Sequence, residues 1–378
     1  MSGRIKKYYI KIFGCQMNLS DAERVAGWYE EKGWQSAKQI QDADEVIIVT
    51  CSVRQSAENR VFGLVNNLTK IKTPHFAPMS IGASRGKQNL KLKIILTGCM
   101  LRYPKYWLEK KLPAVDEFRR IEDYAAELKI RESQTHAWVP ISNGCNNFCT
   151  YCVVPYARGR EVSRPFEEVV CEVEELAKRG YKEITLLGQN VNSYGKNMVK
   201  VKRQKSKIQV KRQKFGTPFA NLLATLHEIP GIEKISFITS NPWDLDDEII
   251  EAMSLPKIDR YLHLPVQSGD DEILRKMNRH YTAKEYLALV KKIRKAIPEI
   301  KIGTDIIVGF PGETEEQFQH TVELAKRVGF VKAYIAMYSP REQTAAFKME
   351  DNVPHKEKKR RWQILNELIN SSQEDRQS

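Results

Sequence analysis

Short apolar runs alternate with amphipathic helical patterns along almost all of this 378-residue chain. In the N-terminal third, the runs KYYIKIFG, DEVIIVT and KLKIILTG each end at a turn, and Ser20 with Glu23 predicts a capped helix start after the first run. Such alternation is typical of parallel strands joined by crossover helices. We predict an α/β chain that begins with a doubly wound parallel sheet over residues 5–122.

A second series of six strand–helix steps begins near His136. Its predicted strands are AWVPIS, EITLLG, KISFIT, RYLHLPV, KIGTDIIVG and AYIAMYS, and its predicted helices lie at 166–180, 217–228, 244–254, 270–278, 282–297 and 314–328. Six steps are more than an open sheet usually needs and fewer than the eight of a closed barrel. We therefore predict an incomplete (βα)6 barrel over 135–350, followed by a helix and polar tail at 351–378.

Several classes of protein are excluded by the composition. No apolar run approaches the ~18 residues that span a bilayer, so no membrane partner is expected. The basic start lacks the apolar core and cleavage site of a signal peptide, which favours a cytoplasmic location. Seven cysteines in a reducing compartment indicate metal binding or catalysis before disulfides.

Three cysteines share one short loop, NGCNNFCTYCVVP, directly after the strand AWVPIS: Cys145, Cys149 and Cys152. Thiolates are the usual ligands of 4Fe-4S clusters, and four are needed to saturate one. Three would leave one iron open to an exogenous ligand, as a catalytic site requires. The alternative is a structural zinc site, which needs a fourth ligand that the loop does not offer.

Cys15, Cys51 and Cys99 are far apart in sequence, yet each follows a predicted strand of the first series. Ligands collect outside the carboxyl ends of parallel strands, and Gly14 and Gly98 would permit tight turns there. The pattern predicts a second three-thiolate site. The alternative is three unrelated core cysteines, since free cysteine is often buried.

The first loop resembles the radical S-adenosylmethionine superfamily, which uses the same cysteine spacing. The resemblance implies that S-adenosylmethionine binds the open iron and is reductively cleaved to a 5′-deoxyadenosyl radical. It also implies that Tyr151, just before the third cysteine, packs near the adenine. The incomplete barrel is the fold of that superfamily.

From about Tyr8 to Glu350 the chain is similar to one radical S-adenosylmethionine family, the methylthiotransferases. The resemblance is densest in FGCQMNLSDAERVAG, TCSVRQSAENRVFG, CVVPYARGREVSRP, LLGQNVNSYG, HLPVQSGDDEILRKMNR, TDIIVGFPGETEEQF and YSPREQTAAFKMED. The motifs most resemble the branch that adds a methylthio group to C2 of N(6)-dimethylallyladenosine beside the tRNA anticodon.

That resemblance implies two 4Fe-4S clusters, S-adenosylmethionine, a tRNA substrate, and a donor each for electrons and sulfur. Two alternatives stay open: a methylthiotransferase for threonylcarbamoyl-adenosine or a ribosomal protein, and a non-catalytic iron-sulfur protein that binds RNA.

Further cofactor-binding residues follow from the resemblance and from their places at barrel strand ends. They are Gln189, Asn190, Gln267, Ser268, Gly309, Glu313 and Arg158. Arg158 and Arg160 could hold a carboxylate or an RNA phosphate, or form a surface salt bridge. We expect Asp305 and His263 to be structural, and Cys171 to pack in the core from its helix.

The net charge of +14 is concentrated in three segments, at 70–93, 196–214 and 356–361, and the rest of the chain is net negative. Such segments bind nucleic acid phosphates or are solvated, low-complexity insertions. Three features depart from the family pattern. Val49 stands where Asn is usual, the basic insertion 196–216 lengthens a loop, and the chain stops near where the family's C-terminal TRAM barrel would begin. We expect the lysine-rich segments to take over part of the tRNA contact.

Overall fold

The computed structural model describes residues 4–53, 55–72, 92–125, 131, 133–196 and 214–371. Two compact units divide the chain, residues 1–133 (unit 1) and residues 134–378 (unit 2). The predictions for the basic segments fall mostly on 73–91 and 197–213, outside the described residues. No helix in the described ranges is long and apolar enough to cross a membrane.

Unit 1 is a parallel sheet flanked by helices, as its apolar runs predict. The sheet has five strands in the order β2-β1-β3-β4-β5, all parallel to their neighbours. The elements are β1 Lys7–Ile12, α1 Gln16–Glu31, β2 Gln35–Ser36, β3 Glu45–Thr50, α2 Gln55–Lys72, β4 Lys93–Gly98, α3 Lys105–Lys111 and β5 Glu117–Phe118.

Both faces of the unit 1 sheet are covered by apolar side chains. Alternate β3 residues enter different clusters, with Val46 and Ile48 on one side and Ile47 and Val49 on the other. This alternation follows from the two-residue period of a strand. Val49, the departure from the family pattern, is fully buried among apolar residues.

The predicted start of α1 at Ser20 is wrong. The helix begins five residues earlier, with Cys15 rather than Ser20 as its N-cap. The backbone N–H of Cys15 donates to Asn18 Oδ1 at 3.3 Å, so Asn18 provides the capping contact that the prediction assigned to Glu23. Ser20 is instead buried within the helix.

Unit 2 contains all six predicted strands and all six predicted helices. Its elements are β6 His136–Pro140, β7 Ser142–Asn143, α4 Val154–Arg158, β8 Val162–Ser163, α5 Phe166–Lys178, β9 Glu183–Leu187, α6 Pro218–His227, β10 Lys234–Phe237, α7 Asp247–Met253, β11 Tyr261–His263, α8 Asp271–Lys276, α9 Ala283–Ala296, β12 Lys301–Val308, α10 Glu315–Val328, β13 Lys332–Met337 and α11 His355–Asn366.

The six main strands form an open barrel wall in two halves. The halves are three-stranded parallel sheets, with the orders β6-β9-β10 and β11-β12-β13. A single parallel bridge, Ile235 to Ile258, continues the wall from β10 to the residues before β11. The prediction of an incomplete barrel is confirmed, and the helices pack on the wall through one continuous apolar core.

The predicted packing of Cys171 in the core is wrong, because its side chain is exposed. The buried residues of α5 are Val169, Val170, Val173 and Leu176. At about 100° per residue these residues define one face of the helix, and Cys171 lies outside that face. The apolar residues on either side of Cys171 in sequence, Val170 and Val173 among them, lie on the buried face.

The basic stretch 356–361 lies in α11 and is only partly exposed to solvent. Lys358 and Arg361 of α11 are buried. Lys358 pairs with Asp351, and Arg361 pairs with Glu313 at 2.8 Å. Arg360 pairs with Glu315 and Glu357 on the surface. Three of the five basic side chains are therefore paired within unit 2, whereas Lys356 and Lys359 are exposed, so a share of this stretch in tRNA contact stays a prediction.

Candidate functional site

The three separated cysteines of unit 1 follow three neighbouring strands. The register pairs Ile12 with Val49 and Thr50 with Gly98, so β1, β3 and β4 end at one edge of the sheet. Cys15, Cys51 and Cys99 lie just beyond those ends, Cys15 exposed and the other two buried.

Two glycines let the cysteine-bearing turns approach each other. A Cβ on Gly14 would lie 2.8 Å from the Cys51 Cβ, and a Cβ on Gly98 would lie 2.6 Å from the Thr50 carbonyl oxygen. Gly98 has φ +91°, a conformation that side chains disfavour. The close approach predicted for these glycines is confirmed.

Polar contacts fix the same edge. Asn18 donates from Nδ2 to the Thr50 carbonyl at 3.1 Å, which ties the start of α1 to the end of β3. Thr50 Oγ1 donates to the Thr97 carbonyl at 2.6 Å and accepts from the Met100 N–H at 3.1 Å. These bonds join the three turns, and the N-terminus of α1 favours negative charge at Cys15.

The cysteine loop of unit 2 lies at the carboxyl end of β6. The N–H of Gly144 donates to Gln189 Oε1 at 2.6 Å, so the residue predicted to bind cofactor also anchors the loop. The loop is further held by Thr150, whose Oγ1 donates to the Lys276 carbonyl at 2.8 Å. Asn278 Nδ2 donates to the carbonyls of Asn147 and Phe148 at 3.1 and 3.2 Å.

Burial sets the electrostatics of this loop. It raises the pKa of the Cys145 thiol to about 11 and that of the Cys152 thiol to about 12. A metal ion reverses such a shift, since it binds the thiolate. Within the described ranges, no three His, Cys, Asp or Glu side chains are gathered so as to hold a single metal ion. Ligation of clusters by the two cysteine sets stays a prediction.

A cluster of polar side chains lies beside the loop, at the ends of β9 and β10. Asn190 donates to Asp244 Oδ2 at 2.7 Å, and Ser193 donates to Glu161 Oε2 at 2.5 Å. Glu161 is tied to the cysteine loop, because its N–H donates to Asn146 Oδ1 at 3.1 Å. Burial raises the pKa of the Glu161 carboxyl.

Several buried polar atoms in and around this cluster have no hydrogen-bond partner among the described residues. They are Ser142 Oγ, Glu161 Oε1, Asn190 Oδ1, Ser240 Oγ, and both polar atoms of the Asn241 side chain. Buried polar atoms in proteins are nearly always paired, so this set fits a polar ligand with both donors and acceptors. Sequence reasoning found Asn190 but missed Glu161, Ser240 and Asn241.

The other predicted residues are placed around the remaining strand ends. Gln267 is buried with φ +70°, and its backbone bonds to β12. Ser268 contacts Thr321 of α10 at 3.4 Å. Glu313 accepts from the Gly309 N–H at 2.6 Å and is paired with Arg361, so its carboxylate is already bound by the protein. Whether these residues contact cofactor stays a prediction.

The predicted residues nearest the cysteine loop of unit 2 also make contacts within the protein. Tyr151 packs against the apolar group that includes Met277, Phe310 and Tyr338. Arg158 donates to Asn143 Oδ1 at 3.2 Å, and Arg160 lies over the Phe148 ring.

The prediction that His263 is a satisfied structural histidine is confirmed. Its Nε2 lies 2.8 Å from Asp305 Oδ2, and the imidazole is buried. The same contact gives Asp305 a structural partner.

Comparisons with known proteins place this fold and loop in a defined class. The Radical SAM superfamily model matches residues 139–325, and the model described as uncharacterized protein family UPF0004 matches residues 7–119. The radical S-adenosylmethionine methyltransferase TsrM from Kitasatospora setae has a TM-score of 0.55 at 12% identity, over 88% of this chain and 75% of its own. The chain is a radical S-adenosylmethionine enzyme.

Curated relatives narrow the class to one family. A tRNA-2-methylthio-N(6)-dimethylallyladenosine synthase of Thermotoga petrophila is 43% identical over 96% of this chain and 81% of its own length. The protein of the same name from Thermoanaerobacter sp. (strain X514) is 43% identical over 97% and 79%. This chain belongs to the family of tRNA-2-methylthio-N(6)-dimethylallyladenosine synthases.

Proposed function

We propose that this chain adds a methylthio group to C2 of N(6)-dimethylallyladenosine next to the tRNA anticodon. The supporting observation is that three cysteines follow neighbouring strands of unit 1 and three share one loop of unit 2, in a chain 43% identical to relatives named for this product. tRNA is therefore the proposed substrate, in the cytoplasm, with an electron donor and a sulfur donor as further partners.

Two 4Fe-4S clusters and S-adenosylmethionine fit the residues present. Cys145, Cys149 and Cys152 would hold one cluster, and Cys15, Cys51 and Cys99 the other, with one iron of each left open. The unpartnered polar atoms at the ends of β9 and β10 suit the amino, carboxylate and ribose groups of S-adenosylmethionine. The bound cofactors supply radical chemistry that breaks a C–H bond too weakly acidic for any side-chain base.

The protein's own residues bind, orient and shield. Gln189 and Asn278 hold the backbone of the cysteine loop, and Asn18 and Thr50 hold the edge of unit 1. Asp244 bonds Asn190 directly and Glu161 is linked to it through Ser193, so this cluster offers carboxyl oxygens that would accept from an ammonium group.

The decisive experiment separates the two cysteine sets. After anaerobic reconstitution we expect about eight irons per chain, on the ligand logic above. The variant Cys15→Ala/Cys51→Ala/Cys99→Ala should keep about four irons and still form 5′-deoxyadenosine, but should yield no methylthio nucleoside. Cys145→Ala should abolish both products. Cys171→Ala is the matched control, because Cys171 is exposed on α5, and it should retain iron and both products.

Three results would contradict the proposal. Full iron content in the triple variant would show that Cys15, Cys51 and Cys99 do not bind a cluster. Methylthiolated threonylcarbamoyl-adenosine or ribosomal protein, found by mass spectrometry in place of the prenylated product, would change the substrate. A fully loaded, reduced protein that forms no 5′-deoxyadenosine would leave only an iron-sulfur RNA-binding protein.

A further inference from the structure

Arg279 is a buried cation whose guanidinium touches a predicted cluster ligand. Nη1 donates to the Cys149 sulfur at 3.5 Å, Nη2 donates to the Pro265 carbonyl at 2.9 Å, and Nε donates to the Tyr281 hydroxyl at 3.1 Å. Its charge centre lies 4.6 Å from the ring centroid of Trp243 and 5.2 Å from that of Tyr281. All three nitrogens of the fork are therefore in use, in one fixed orientation.

The surroundings of this cation contain little compensating charge. Among the described residues, its hydrogen-bond partners are a carbonyl, a phenol and a thiol, and none is a carboxylate. Leaving a buried charge unpaired is costly, and aromatic faces offset only part of that cost. A negative group at Cys149 would balance the charge of Arg279, and a thiolate bound to a cluster is such a group.

The same region fixes the loop mechanically. Arg279 follows Asn278, which binds two carbonyls of the cysteine loop, and Met277, whose carbonyl accepts from the Thr150 N–H at 3.1 Å. Three consecutive residues after α8 therefore contact the loop that carries the thiols. Because Arg279 contacts the sulfur itself, its effect extends beyond backbone support.

We propose that Arg279 is a positioning residue for the cluster on Cys145, Cys149 and Cys152, and that it raises the reduction potential of that cluster. Reduction adds one negative charge to the cluster, and a fixed cation hydrogen-bonded to a ligand sulfur favours the reduced form. Arg279 thereby eases the one-electron step that starts the reaction. This inference rests on the proposed function, because it requires the cluster.

The test measures the midpoint potential of the unit 2 cluster by anaerobic redox titration with electron paramagnetic resonance. The parent is protein that lacks the unit 1 cysteines, and each Arg279 variant is made in that parent and compared with it. Arg279→Gln should lower the equilibrium constant for reduction about tenfold, which is ~59 mV for one electron. Arg279→Lys should lie between Arg279→Gln and the parent. Lysine keeps the charge but cannot hold Pro265, Tyr281 and Cys149 at once. Arg275→Gln, an exposed arginine four residues earlier, should leave the potential unchanged.

An unchanged potential in iron-loaded Arg279→Gln would overturn the inference and leave the proposed function intact. If Arg279→Gln fails to load iron, the potential is measured in iron-loaded Arg279→Lys instead. A potential equal to that of the parent would then overturn the inference. Absence of a 4Fe-4S signal in the parent would instead overturn the proposed function. Iron content, measured on the same samples, separates a loss of cluster from a change in its potential.

Discussion

A side chain cannot be added at Gly98 without moving the backbone of Thr50. The new Cβ would lie 2.6 Å from the Thr50 carbonyl oxygen, at φ +91°. A conformation of this kind costs ~1–3 kcal/mol in a residue other than glycine. Because Thr50 also binds the N–H of Met100, any shift displaces the turns that carry Cys51 and Cys99.

We therefore expect Gly98→Ala to lose the unit 1 cluster while the unit 2 cluster is retained, so that the iron content falls to about half. Gly33→Ala is the matched control, since Gly33 also has a positive φ in unit 1 but faces open space. It should share the backbone cost and keep all its iron. Iron analysis with urea unfolding measures both effects. Equal iron loss in the two variants would show that general destabilisation is the cause.

Residue roles that depend on distant contacts could not be predicted from the sequence. Arg279 stands within the motif HLPVQSGDDEILRKMNR, yet its contact with Cys149 spans 130 positions and depends on how α8 meets the loop. The N-cap at Cys15 was missed because cysteine is an unusual capping residue and the capping contact comes from Asn18. The two cysteine sets could be found in the sequence, because Cys15, Cys51 and Cys99 each follow an apolar run and Cys145, Cys149 and Cys152 share one short loop.

At the scale of elements, α11 holds the loop that follows β12 in place through buried side chains, and we call this contact the clamp. Arg361 pairs with Glu313 at 2.8 Å, with both side chains buried, and Glu313 in turn accepts from the Gly309 N–H. The aliphatic part of Lys358 occupies the space beside Gly309, where a Cβ would lie 2.4 Å from Lys358 Cγ. The predicted cofactor loop at 309–313 is therefore held in place from a helix that the sequence suggested was an RNA contact.

Removing Arg361 should be costly, because it leaves the Glu313 carboxylate buried without its cation. We expect Arg361→Met to lower the free energy of unfolding by ~3–5 kcal/mol. The double variant Glu313→Gln/Arg361→Met should recover most of that loss. Arg360→Met, at the exposed neighbour that pairs on the surface, should cost ~0–1 kcal/mol. Urea unfolding of the four proteins tests this, and an equal loss in the Arg360 and Arg361 variants would refute the clamp.

The elements themselves were largely predictable, whereas their ion pairs were not. Every main strand of the barrel wall is an apolar run between turn residues, and every helix between them has a helical apolar period. Lys358 and Arg361 read as part of a basic run, because their carboxylate partners lie up to 48 positions away. Sequence patterns show which face of a helix is apolar, but not which charges will be buried with it.

For the whole molecule, the question of tRNA contact turns on the basic segment 196–214, with its nine Lys and Arg. Replacing 197–214 by a short Gly-Ser linker should weaken tRNA binding and flatten its dependence on salt. The slope of log affinity against log salt should fall by about 0.7–0.9 for every phosphate that the protein no longer neutralises. Iron content should be unchanged. A variant of full length with its Lys and Arg changed to Gln should behave like the deletion. An unaltered slope in both would make the segment a neutral insertion.

The two halves of the barrel wall meet between β10 and β11, and this seam is the weakest main-chain connection in the wall. Strands within each half are joined by continuous ladders, but across the seam the described main chain is joined only around Ile235, which donates to Lys257 O at 2.8 Å and accepts from the Asp259 N–H at 2.9 Å. Splaying the two halves breaks fewer main-chain bonds than any separation within them. We therefore expect that any opening of the barrel wall begins at this seam, by a change in the distance between its two halves.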